Sequence, residues 1–316
     1  MTSRELVKLA LDFKDCPRIP TERDDVTGAD FTYGLGRTGG VPVNAMGTRY
    51  DEWGTEWVAI EDGVCGEVKR PMLTEWSGLD GFSPPWDVLE NTDLSRVNAS
   101  RAATDKFVLP MWWANYNLFE RMQMLRGTEQ LFIDLAEGGP EVYRLRDMLH
   151  EYFMRQAEMW VKTDVDGLHI ADDWGSQTAL LISPAKWREF YKPCYAEYCA
   201  LARGHGKYVI MHSDGHTESI LGDLIEIGVN AINTQIFCMD IEALAEKYHH
   251  KICFWGEIDR QNILPLASAD KCREAVRRVA KAFFKYGRTG IVGQAFWGKD
   301  IPEENLNAVY DEWKRV

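Results

Sequence analysis

The chain has 316 residues, enough for one or two domains at about 150 residues each. Its 36 basic and 49 acidic residues leave a formal charge of −13, which argues against nucleic-acid binding and against docking on an anionic membrane. No apolar run approaches the ~18 residues of a membrane span, and the charged opening MTSRELVKLALDFKD lacks the apolar centre of a secretory signal.

In chain order, residues 3–13 place Leu6, Leu9, Ala10 and Phe13 on one helical face. Residues 21–100 are rich in Gly, Pro and Trp; they suggest a hairpin near 56–73 and otherwise an irregular insertion. A G-x-G-x-x-G match falls at Gly34, Gly36 and Gly39. No apolar strand is expected before it and Gly40-Val41-Pro42 follows it, so it is not read as a dinucleotide loop. Residues 107–114 read as a strand, and 128–136 and 140–163 as helices.

From residue 167 strand and helix alternate through five units. The strands are expected at 167–173, 208–214, 229–235, 252–257 and 290–294. Punctuation marks the helices: Ser183-Pro184 and Ser268 open two, Pro193 bends one, Gly228 and Gly287 stop two, and Pro302 opens the last. Apolar strands alternating with amphipathic helices imply a parallel sheet covered by helices. Length and insertion favour a single (β/α)8 TIM barrel over residues 1–316, with 21–100 capping its mouth.

Barrel chemistry gathers at the C-terminal strand ends, and here those ends are polar. They carry Asp172, Asp173 and Trp174; His212 and Asp214; Gln235; Glu257; and Gln294, Phe296 and Trp297. Alternation puts His212 and Asp214 on one face, and likewise Trp255 and Glu257. Structural roles compete throughout. One of Asp172 and Asp173 is expected to cap a turn or helix, and His169 to be a hydrogen-bonded core residue. The seven scattered cysteines are read as reduced thiols, in keeping with a cytoplasmic setting.

Several blocks resemble the uroporphyrinogen decarboxylase superfamily, especially its cobalamin-dependent methyltransferase branch. They are the opening TSRELVKLAL with CPRIP, then 117–127 (NLFERMQMLRG), 172–193, 212–235, 256–265 (GEIDRQNILP) and 302–308 (PEENLNA). The resemblance implies a TIM barrel, consistent with the reading above. It departs from true porphyrinogen decarboxylases, whose arginine-rich opening is replaced by TERDDVTGAD. It departs also from the thiol-methylating branch, since Asp214 stands where a zinc-binding Cys belongs.

What remains is transfer of a methyl group from a methoxy donor, an aryl methyl ether being one candidate, or a similar small donor to the cobalt of cobalamin on a partner corrinoid protein. On this reading His212, Asp214, Glu257, Asp172 and Asp173 are the candidate catalytic residues. Zinc would be held by His212, Asp214 and Glu257. Trp112, Trp113, Tyr116, Trp174, Gln235, Trp255, Gln294, Phe296 and Trp297 would bind the donor, the aromatics as a flat pocket. The rivals are a decarboxylase acting on a smaller substrate than a porphyrinogen and a non-catalytic ligand-binding barrel.

Overall fold

The computed structural model describes residues 1–22, 29–34, 46–62, 66–110, 116–295 and 298–316. The second half carries the regular architecture. Strands β6 (Gly167–Ala171), β7 (Tyr208–Ser213), β8 (Ala231–Thr234), β9 (Cys253–Gly256) and β10 (Ile291–Gly293) form one parallel sheet in chain order. Each lies inside its expected span and is one to three residues shorter, because the polar strand-end residues leave the ladder. Helices α7 (Pro184–Phe190), α8 (Lys192–Gly204), α9 (Glu218–Ile227), α10 (Ile241–Tyr248), α11 (Ala269–Phe284) and α12 (Glu303–Trp313) cover the outer face.

The punctuation works as the sequence suggests. Ser183 accepts from Lys186 N and Ser268 from Lys271 N, and Asp240, not singled out above, accepts from Ala243 N. Each supplies an acceptor to an amide that the helix leaves unpaired, a contact contributing about 1 kcal/mol. Gly228 ends α9 at φ 100°, a conformation that a side chain would strain.

The ring continues through shorter pieces. Strands β1 (Phe31–Tyr33) and β5 (Phe107–Leu109) pair in parallel. Asp166 N donates to Val108 O (2.7 Å), joining β5 to the start of β6. Gly293 N donates to Pro20 O (2.8 Å), Glu22 N to Gly293 O (3.1 Å) and Asp30 N to Thr21 O (2.8 Å), joining β10 back to β1. Among the described residues the ring of strands is thus linked by isolated hydrogen bonds and is not closed by ladders, where an eighth strand and full ladders were expected. The physical reason is the insertion, which interrupts the chain within the first strand–helix units.

β1 also sits directly before Gly34, where no strand was expected. Gly36, Gly39 and the three residues after them lie outside the described residues.

The insertion contains a three-stranded antiparallel sheet, β2 (Gly47–Tyr50), β3 (Glu56–Ala59) and β4 (Glu67–Arg70), which includes the expected hairpin. Two short helices follow, α2 (Trp86–Glu90) and α3 (Val97–Ala102), and then β5. The insertion docks through Asp51 and Trp53. Asp51 pairs with Arg121 at 2.8 Å, and Trp53 packs on Tyr152 and Phe153. Arg121 belongs to α4 (Leu118–Arg126); α5 (Thr128–Glu137) and the long α6 (Pro140–Val161) follow it.

Alternation divides the core. Outward residues such as Leu168, Ile170, Met211, Ile232 and Phe254 pack under the helices. Inward residues Ile210, Ala231, Cys253, Trp255 and Val292 fill the barrel together with Val7 and Leu11 of α1 (Ser3–Leu11). α1 thereby plugs the end opposite the polar strand ends and leaves the other end for chemistry. No helix among the described residues is long and apolar enough to cross a membrane, and the six described cysteines are free thiols.

Candidate active site at the C-terminal strand ends

Inward positions recur every second residue, so the register stacks them in layers. Ala171, His212, Asn233, Trp255 and Val292 lie level across the sheet. Two residues further along each strand come Asp173, Asp214, Gln235, Glu257 and Gln294. The acidic layer therefore sits on His212 and Asn233.

His212 is the centre. Asn233 Nδ2 donates to Gln294 Oε1 (2.5 Å) and to the Trp255 carbonyl (3.3 Å), which leaves Asn233 Oδ1 as an acceptor. It takes the proton of His212 Nδ1 at 2.5 Å. That bond aims Nε2 at two carboxylates, Asp214 Oδ1 at 3.4 Å and Asp173 Oδ1 at 3.5 Å. Burial by itself lowers the imidazole pKa. The hydrogen bond to Asp214 and the charges of Asp173 and Asp214 outweigh burial and hold it up at about 9. Burial acts to raise Asp214, but His212 and Arg260 bring it below the usual carboxylate range. Asp173 is raised by burial and by Asp214.

Close backbone packing fixes the two aspartates. Gly175 N donates to Asp214 O (3.0 Å) and Asp214 N to Asp173 Oδ1 (2.8 Å). A Cβ on Gly175 would lie 2.6 Å from Asp214 O, and Gly215 turns at φ 76°. Only glycine lets these loops approach so closely.

Three participants escaped the sequence reading. Arg260 pairs with Asp214 and lies 3.7 Å from Glu257 Oε1. Glu120 is held well above the usual range by burial and then by the charges of Asp173 and Asp172. Asn233 orients His212. Asn233 was detectable, since it shares the inward parity of Gln235. Arg260 follows Glu257 by three residues within a block already singled out. Glu120 carries no local signal, because the fold alone brings α4 to this strand end.

Other candidates fall elsewhere. Asp172 points outward, where its carboxylate accepts from Phe119 N (2.7 Å), Glu120 N (2.8 Å) and Tyr195 Oη. It is the capping member of the pair, holding the start of α4. Trp174 has the same outward parity. It is fully buried, stacked on Phe119 at 4.3 Å and set edge-on to Tyr191, so it cannot line a donor pocket. Tyr116 is also fully buried, stacked on Tyr198 and edge-on to Phe153. Trp255 lies inside the barrel against Phe31 at 4.5 Å, under the acidic layer rather than in it. Trp112, Trp113, Phe296 and Trp297 lie outside the described residues. His169 is the core histidine expected, pushed down to about 3 by burial and by His212.

Asp173, His212 and Asp214 each offer a ligand atom, all within 4.8 Å of one another. Glu257 is not in that group, so Asp173 takes its place in the expected metal set. The donors suit a divalent zinc ion. Asp214 Oδ1 meets His212 Nε2 only at a long 3.4 Å, and Asn233 holds the far nitrogen of His212 as metal-bound imidazoles require. Without metal, a protonated Nε2 offsets the two carboxylates.

Glu257 instead faces a cavity of about 290 Å³ beside the cluster, lined also by Gln177, Gln235, Phe237, Cys238 and Arg260. The glutamate is 4% exposed, and burial pushes its carboxyl up to about 7 despite Arg260. Gln294 Nε2 reaches Glu22 (2.8 Å), tying the last strand end to the start of the insertion.

The sequence model of the family described as Uroporphyrinogen decarboxylase (URO-D) matches residues 119–315. A solved structure described as a methyltransferase from Methanosarcina mazei superposes with a TM-score of 0.73 at 14% identity, covering 100% of this chain and 99% of that one. A glycosylated endo-β-1,4-xylanase from Gloeophyllum trabeum gives a TM-score of 0.42 at 11% identity, with 71% and 81% covered. No curated protein matches the chain.

Proposed function

The chain belongs to the uroporphyrinogen decarboxylase family, and from that premise we propose that it is a methyltransferase that moves a methyl group from a methoxy donor to the cobalt of a partner corrinoid protein. The observation that carries this reading is His212 Nε2 aimed at the Asp173–Asp214 pair. The methyl–oxygen bond breaks with its electron pair left on oxygen, while cob(I)alamin supplies the pair of the new carbon–cobalt bond. The oxygen takes one proton from solvent and leaves as an alcohol.

Alkoxide is a poor leaving group, so the site must stabilise charge on that oxygen. Zinc held by Asp173, His212 and Asp214 would act as a Lewis acid there. The chain does the rest: Asn233 fixes the imidazole, Asp214 is fixed by Arg260, and the two glycines hold the aspartates together. The full-length likeness to a methyltransferase structure supports the same reading.

The decarboxylase alternative suits the site less well. Asp173 and Asp214 would repel a carboxylate substrate. Among the described residues, Arg260 faces them already paired, Arg121 is committed to Asp51 and Arg18 to Asp30. A polycarboxylate needs cations available to clamp it.

The test is spectroscopic. Purified protein, cob(I)alamin and a panel of methyl ethers should yield methylcob(III)alamin and the demethylated alcohol in equal amounts. Carbon dioxide release from a carboxylated panel without cobalamin would overturn the proposal.

A further inference from the structure

The cavity beside the cluster has a chemical character of its own. Its deep end is formed by Glu257 and Gln235, which are 4% and 7% exposed. Glu257 Oε2 is buried and accepts no hydrogen bond. Gln235 Oε1 already accepts from Gly215 N at 3.1 Å, which turns its amide nitrogen toward other partners. The rim adds the amides of Gln177, Gln261 and Asn262, and Phe237 is the one aromatic ring in the described lining.

A buried polar atom left without a partner is costly, so an occupant that pairs with it is favoured. A flat methoxyarene would cover Glu257 Oε2 and offer it nothing. A hydroxyl group suits this end better. It donates to a carboxylate, accepts from a protonated carboxyl, and accepts from an amide N–H.

Resting on the methyltransferase reading, we propose that this cavity is the methyl-donor pocket and selects a small hydroxylated methyl ether over an aromatic one, with Glu257 and Gln235 as the specificity-determining pair. Arg260 links the two parts of the site, since it lines the cavity and pairs with Asp214 of the cluster.

The experiment uses the full chain without corrinoid. Binding of methyl glucoside, methoxybenzene, methoxycyclohexane and methylammonium chloride is measured by calorimetry. Methyl glucoside should bind at least tenfold more tightly than the two ethers that lack hydroxyls, as expected when a site's buried polar groups reject an analogue that cannot pair. Glu257→Leu should abolish that preference, while Glu257→Gln, which keeps a hydrogen-bonding group, should retain most of it; melting temperatures check that both variants fold.

Tighter binding of methoxybenzene or of methylammonium overturns the proposal, as does an unchanged preference in folded Glu257→Leu. The underlying reading fails separately. Methyl glucoside bound but never demethylated by cob(I)alamin would leave the pocket's selectivity standing and remove the methyltransferase.

Discussion

Asp172 and Asp173 are neighbours in the chain and belong to different parts of the molecule. Asp172 lies behind the sheet, where two amides and Tyr195 satisfy its carboxylate and Trp174, Phe119 and Tyr191 pack around it. Asp173 lies in the barrel mouth, where His212 and Asp214 face it and the charges are only partly offset. Behind the sheet the carboxylate is saturated and set among packed aromatic rings, as expected of a group that holds the fold. In the mouth the carboxylates are crowded, like-charged and incompletely paired, a condition a fold tolerates where chemistry repays it.

Substitutions on the two sides should separate activity from stability. The largest expected effect is on the mouth side. Asp173→Asn keeps an acceptor for Asp214 N but removes the charge, and should lower methyl transfer about a hundredfold or more with little change in melting temperature. A variant with full activity would place the chemistry elsewhere.

Asp172→Ala should do the reverse. It orphans the Phe119 and Glu120 amides and the Tyr195 hydroxyl, and should cost about 3 kcal/mol in denaturant unfolding. The protein that remains folded should keep turnover within a few-fold of the parent. Unchanged stability would contradict the structural role.

The smallest effect is a pH trend in metal-free protein. His212 titrates near 9 in the fold against an ordinary 6.5, so folding favours its protonated form. That stabilisation is complete below 6.5 and is lost as the pH rises to about 9. Glu257, raised from 4.5 to about 7, acts in the same direction over its own lower window. Melting temperature in chelator should therefore fall between pH 6.5 and 9; a rise would contradict the charge arrangement.

The same two regions show how far the sequence could be read. The five strand–helix units were legible because their strands are apolar runs and their helices carry their own caps, as at Ser183 and Ser268. His212, Asp214 and Asp173 were legible because strand ends of a parallel barrel converge. Of residues 21–100 only the hairpin near 56–73 was legible, since strands of four residues on a small antiparallel sheet leave little periodicity to detect.

The expected place of Trp174 in a donor pocket failed for a simpler reason. Trp174 shares the outward parity of Asp172, and counting alternate residues past the end of β6 sends it behind the sheet. The same counting from Gln235 would have found Asn233. Glu120 and the pairing of Arg260 depend on contacts between distant segments, which no local pattern encodes.

The most direct test of the account is zinc titration of the metal-free protein, run in parallel on His212→Ala and Asp172→Ala. The account predicts about one equivalent bound by the parent and by Asp172→Ala, and binding lost in His212→Ala. Equal binding in all three, or none by the folded parent, would contradict a metal centre at Asp173, His212 and Asp214.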